Sequence, residues 1–171
     1  MSFRKGFTLI ETLVVVGVLT LMTSLLVLYN RTGERQIILL REKARLIGTI
    51  FRAKSLTLNT FIEDEPACGY GVHTSQGEYF IYRDKAIACR TSDHVYTDTT
   101  DEIVAGTLVR LDAGLRFGGG TVTDMVFVPP DPKVFLNGRQ GFTEGEIILE
   151  GVDGKSSVTI QVNNAGQISA E

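Results

Sequence analysis

Proline is missing from the first 65 residues; the four in the chain are Pro66, Pro129, Pro130 and Pro132. That absence removes the commonest cause of a broken helix and leaves one long helix open across the N-terminal third. Charge is missing too, between Thr12 and Asn30. A helix over that stretch would be about 28 Å long, close to the hydrocarbon thickness of a bilayer. Histidine and cysteine are scarce, with only His73, His94, Cys68 and Cys89. No HExxH, CxxC or GxSxG pattern occurs, so hydrolytic and redox chemistry have no motif behind them. RFGGGTV has the glycines of a phosphate loop without its spacing or its lysine, and reads as a turn or bulge between strands. The sequence therefore calls for no metal, no cofactor and no catalytic residue.

What is present is a chain of 171 residues, 43% hydrophobic and 22% charged, enough for one ordinary domain and one further element. The further element is the apolar segment, which reads as a transmembrane helix. A cleaved secretory signal fits less well, because the run is too long for an h-region and SLLVLYNR offers no small-x-small cleavage site. Arg4 and Lys5 precede the span while Arg31 and Arg35 follow it, so the positive-inside bias nearly cancels. The cysteines both lie beyond the span, which suits a disulfide in an oxidising compartment better than a four-ligand metal site. Two free buried thiols are the other reading. A Cys68–Cys89 bridge would close a loop of about 22 residues, contribute about 3 kcal/mol, and place the C-terminal domain outside the cytoplasm.

After the span, Ile37, Leu40, Ala44, Ile47, Phe51, Leu58 and Ile62 recur at spacings of three, four or seven, which predicts an amphipathic helix burying that stripe. One helix from about Phe7 to about Phe61 would be roughly 80 Å long, with Gly17 and Gly33 its weak points. Beyond Pro66 the pattern turns to strands. GYGVHT and EYFIY flank SQG as a hairpin, and TLVRLD, DMVFV, EIILE and SVTIQV follow between Gly, Asn, Asp and Pro clusters. Five or six strands, mostly antiparallel, are expected, with the Arg90–Glu102 segment as an exposed loop. The fold class is α+β: a long N-terminal helix, transmembrane in its first half and amphipathic in its second, packed on a mostly antiparallel sheet head. The divisions are a basic leader at 1–6, a transmembrane helix at 7–30, an amphipathic helix at 31–63 and a β-rich head at 64–171.

Charge is split unevenly. Residues 31–54 carry seven Lys or Arg against Glu34 and Glu42, whereas residues 55–171 carry eight basic and seventeen acidic side chains. A solvated helix face near anionic lipid accounts for the basic half, and pairing of one molecule's helix with another's head is the sharper account. Asp98, Asp101 and Glu102 could hold a calcium ion, although their spacing is not that of an EF-hand and a solvated acidic loop is the plainer reading. The acidic head, whose last 30 residues contain only Lys155 as a base, argues against nucleic acid as a partner.

The N-terminus carries a more specific pattern. MSFRKG is followed by FTLIE and an apolar helix: a short basic leader, Gly6 before Phe7, and Glu11 four residues past that bond at the head of a membrane segment. This resembles the processing site of type IV prepilins and of the pseudopilins of type II secretion systems. The resemblance implies that prepilin peptidase cuts between Gly6 and Phe7 and methylates the new Phe7 amine. It implies also that the Glu11 carboxylate of an incoming subunit meets the Phe7 amine of a neighbour and sets the register of a filament. An ionised carboxylate costs about 2–3 kcal/mol in a membrane, so it needs such a partner or must snorkel to the head groups. Gly17, Thr20, Thr23 and Ser24 are small enough to let membrane helices approach closely. Many major pilins carry a proline in this segment, and its absence points to a minor subunit.

MVFVPPDP, EIILEG and SVTIQVNNAGQIS look like the ending of H-type pseudopilins and FimT-like minor pilins, carried by Phe127, Pro129, Gly145, Ile147, Leu149, Ile160, Val162, Gly166 and Ile168. Asp131-Pro132 departs from the glycine expected there. The resemblance implies a pilin fold and a structural subunit, not an enzyme. Its partners are prepilin peptidase, other pilin or pseudopilin subunits, the inner-membrane assembly machinery, and the lipid bilayer before assembly. The alternative is a tip binding module, adhesin or DNA-uptake receptor, on the same scaffold.

Overall fold

A computed structural model of the chain describes residues 8–63, 67–130, 133–141 and 144–170. The chain divides into two units, Met1–Ile37 and Ile38–Glu171, and helix α1 (Leu9–Glu63) contributes to both.

In the first unit the helix starts on Thr8. The Glu11 N–H donates to the Thr8 carbonyl at 3.1 Å and lies 3.3 Å from its hydroxyl, and the Thr12 N–H donates to the same carbonyl at 3.2 Å. Threonine thereby caps donors that the first turn leaves unsatisfied, and Glu11 sits where the helix dipole favours a negative charge. Leu9–Val27 is a 19-residue stretch of mean hydropathy 2.2 with none of it buried, long and apolar enough to cross a membrane. Its hydroxyls are satisfied within the helix: Thr20 Oγ1 donates to the Val16 and Gly17 carbonyls at 3.0 and 2.9 Å, and Ser24 Oγ to Leu21 at 2.8 Å. Such groups can enter lipid without an orphan donor.

In the second unit the strands are, in chain order, β1 (Gly69–Ser75), β2 (Glu78–Asp84), β3 (Glu102–Ile103), β4 (Val109–Arg110), β5 (Leu115–Phe117), β6 (Asp124–Val128), β7 (Lys133–Leu136), β8 (Glu144–Gly151), β9 (Ser157–Asn163) and β10 (Ile168–Ala170). They form two sheets. One has the order β3-β2-β1-β6-β7, with β4 also on β2, and the other β10-β9-β8-β5. Every described pair is antiparallel. The hairpin is the expected one, Ser75 facing Glu78 across Gln76-Gly77. DMVFV and SVTIQV form strands as the pattern predicts, and EIILE lies within the longer β8, but TLVRLD shrinks to the two residues of β4.

The helix buries a different face from the one its apolar spacing predicts. Leu39, Glu42, Leu46, Ile50, Ala53 and Thr57 are buried at spacings of three and four. Leu40, Phe51 and Leu58 are 56%, 53% and 42% exposed, Ile37 is exposed in the first unit, Ala44 is exposed and Ile47 half-buried. The side chain of Ile62 lies outside the described residues. Two apolar rows run along this helix, and the row that contains a glutamate and a threonine is the one the head covers. It packs with Val72, Tyr79, Ile81, Met125 and Phe127 of the first sheet and with Ile147, Leu149, Ile160 and Val162 of the second in one core. Thr57 Oγ1 donates to the Ala53 carbonyl at 3.1 Å and lies 3.3 Å from that of Phe127, and Lys54 Nζ donates to Gly166 at 3.0 Å.

Glu42 and Tyr79 are both buried in this core. Burial first, and the neighbouring Glu42 charge second, push the Tyr79 phenol from an ordinary 10.0 up to about 12. A proton held more tightly in the folded state stabilises it below the unfolded value, and that contribution is lost as pH rises through the folded value. The unfolding midpoint is therefore expected to fall between pH 10 and pH 12, and to fall less in Tyr79→Phe, as measured by denaturation across that range.

The opposite face of the first sheet carries a second cluster, Phe80, Tyr82 and Val126, with Tyr96 packed on it. The Arg90–Glu102 segment is thus not a free loop. It is exposed at residues 98–100, yet His94 is buried and the Tyr96 ring stacks edgewise on Phe80 and Tyr82 at 4.9 and 5.2 Å.

Candidate functional site

The residues that the N-terminal motif singles out fall differently with respect to the structure. Gly6 and Phe7 lie outside the described residues, as does the leader. Glu11 lies in the first turn of α1, exposed on a helix whose neighbouring side chains are Leu9, Ile10, Leu13, Val14 and Val15. Among the described residues no side chain pairs with its carboxylate. In an apolar medium such a group demands a cation from elsewhere.

The second unit presents a row of exposed apolar side chains on α1, Leu40, Phe51 and Leu58, with Arg41, Arg45 and Arg52 on the same exposed stretch. Singly exposed leucines need no explanation, but three large apolar groups at helical spacing form a stripe that water solvates poorly. The sequence contained this signal in its helical period, although it pointed to the stripe as core.

In the head, Cys68 and Cys89 form a disulfide, with Cα atoms 4.9 Å apart. Of the two readings of the cysteines, the bridge is the one realised. It ties the start of β1 to a short 3-10 turn, Cys89–Thr91, and the segment after that turn is fixed by buried carboxylates. Ser92 Oγ donates to Asp84, His94 Nδ1 lies 2.7 Å from Asp84 Oδ2, and the Tyr96 N–H donates to Asp124 Oδ1 at 3.0 Å. His73 Nδ1 lies 2.8 Å from the same Asp124 oxygen. Both histidines of the chain are thus anchored by buried aspartates, a pairing that no linear motif could reveal. Serine, aspartate and histidine meet at residues 92, 84 and 94, but both the hydroxyl and the imidazole address the carboxylate. A serine nucleophile would have to address the imidazole, so the group holds a loop and does not activate an attack.

The acidic residues considered for calcium are separately employed. Asp98 accepts from the Tyr96 hydroxyl, Asp101 from the Lys85 and Thr97 N–H groups, and Glu102 from Lys85 Nζ. The Lys85 ammonium holds the Glu102 carboxyl below its usual range, whereas burial, followed by the Asp84 and Asp93 charges, raises that of Asp101. Among the described residues no group of three or more His, Cys, Asp or Glu is placed to hold a metal. A cleft of about 640 Å³ lies beside His73 and Arg116. Its polar groups are mostly engaged, Arg116 by Glu150 at 2.7 Å and the Thr74, Thr121 and Thr123 hydroxyls by Val122, Gly118 and Asn137.

No family model, no curated protein and no solved structure matches this chain.

Proposed function

We propose that this chain is a pilin-type structural subunit, processed between Gly6 and Phe7 by a prepilin peptidase, methylated at Phe7, and assembled as a minor subunit into a type IV pilus or a type II secretion pseudopilus. The observation that carries this reading is Glu11: a carboxylate without a described partner at the head of a 19-residue apolar stretch of helix in which no residue is buried. A bare anchor gains nothing from that charge, whereas a filament subunit can pair it with the Phe7 amine of a neighbour. The exposed row Leu40, Phe51 and Leu58 supports the same reading, since it supplies apolar surface for a second helix to cover. The Cys68–Cys89 disulfide supports a head outside the cytoplasm.

On this reading assembly is the activity. Subunits wait in the bilayer, and the inner-membrane machinery moves them into a filament where helices replace lipid around one another. The expected result is recovery of the native chain in the sheared surface or periplasmic filament fraction, together with other subunits. Its retention in the membrane alone, in cells that are building filaments, would contradict the proposal.

A further inference from the structure

A second cleft of the head, of about 620 Å³, is bounded by the 89–94 segment on one side and by residues between 128 and 140 on the other. Arg90 and Lys133 line it, and neither meets an acidic side chain among the described residues. Other cations of the head are committed, Lys85 to Glu102, Arg110 to Glu78 and Arg116 to Glu150. Two cations on one cleft that no described acidic side chain meets run against the acidic balance of residues 55–171.

The third polar group is built in. The His94 side chain is 10% exposed and lines the cleft. Its Nδ1 is taken by Asp84 at 2.7 Å, and Nε2 has no hydrogen-bond partner among the described residues. The backbone of His94 has φ +54°, a conformation that costs a non-glycine residue free energy. It is held there by its N–H donating to Ser92 Oγ at 3.2 Å and by close passage of Gly138, where a Cβ would stand 2.6 Å from the Asp93 carbonyl oxygen. The lining is apolar at Val128, which pairs with Lys133 across the strands, and at the Phe135 ring, whose centroid is 4.0 Å from that of His94. Asp93 also borders the cleft, its Oδ1 accepting the Val95 N–H at 3.2 Å. Arg90 and Lys133 face the exposed Asp93 carboxylate, with the buried Asp84 carboxylate behind His94 and Ser92, so the local excess of positive charge is small and suits a singly charged group better than a phosphate dianion.

We propose that this cleft binds a carboxylate carried on a small apolar body, with the carboxylate toward Arg90 and Lys133 and the apolar part against Val128 and Phe135. A free organic acid and the C-terminal residue of a peptide share that chemistry. The cleft lies within the second unit, so the inference stands or falls apart from filament assembly. The test is titration of the full chain in detergent micelles with N-acetyl-phenylalanine, its C-terminal amide, acetate, and the peptide N-acetyl-Gly-Gly-Gly-Phe, followed by calorimetry. N-acetyl-phenylalanine is expected to bind roughly tenfold or more tightly than its amide or acetate, and to lose roughly tenfold in the Arg90→Gln, Lys133→Gln double variant with the thermal midpoint unchanged. Tighter binding of the peptide would assign a peptide terminus, and weaker binding a free acid. Equal binding of acid and amide, undiminished binding by the double variant, or no binding of either phenylalanine acid at millimolar concentration would overturn the proposal.

Discussion

A chain carrying Glu11→Ala is expected to enter the membrane as the native chain does and to fall roughly tenfold or more in the sheared filament fraction. Removing a carboxylate from the Leu9–Val27 stretch relieves a cost of about 2–3 kcal/mol, so insertion cannot suffer. On the proposed reading, what is lost is the partner for the Phe7 amine. A buried amine without its counter-charge costs several kcal/mol, and a deficit of only about 1.4 kcal/mol per subunit already lowers incorporation tenfold. Glu11→Gln keeps the shape and two hydrogen-bonding groups without the charge, and is expected to lie close to Ala if the pair is ionic. Quantitative immunoblots of membrane and sheared fractions give both numbers. Native-like incorporation of Glu11→Ala would remove the register role.

The second large effect distinguishes the two apolar rows of α1. Leu46→Asp places an unpaired charge at a fully buried position of the core that also holds Tyr79 and Ile81, and is expected to unfold the head, at a cost above about 4 kcal/mol. Phe51→Asp changes a position that is 53% exposed, and is expected to shift stability by less than about 1 kcal/mol while sharply reducing recovery in filaments. Thermal unfolding of the two purified variants, beside their filament fractions, separates folding from assembly. A Phe51→Asp chain that assembles normally would leave the exposed row without a role. The contrast is sharp because the two residues are large, apolar and five apart on one helix, yet one is fully buried and the other is 53% exposed.

That helix also shows what the sequence could and could not tell. The long helix was legible because no proline interrupts it and because charge vanishes from residue 12 to residue 30. Which face is buried was not legible. Glu42 and Thr57 sit at buried positions, while Ile37, Leu40 and Phe51 sit at exposed ones, so hydrophobic periodicity selected the wrong row. Periodicity reports an apolar face but not what covers it, and a helix with two apolar rows defeats it. Strands of five or more residues such as β1, β2 and β6 were read correctly, but β3, β4, β5, β7 and β10 span two to four residues and are too short for alternation to show. The disulfide was legible from cysteine count and placement. The aspartate anchors of His73 and His94 were not, since Asp124 lies 51 residues from His73 and only pairing of β1 with β6 brings them together. The cleft of Arg90, Lys133 and His94 was hidden for the same reason.

The most direct test of the central claim is the mass of the N-terminal peptide of the chain isolated from its native membrane and filament fractions. The account predicts a chain that starts at Phe7 and carries one added methyl group, the amine that Glu11 requires. A chain that still starts at Met1, in cells shown to process another prepilin, would contradict it and return Glu11 to a carboxylate that merely reaches for the head groups.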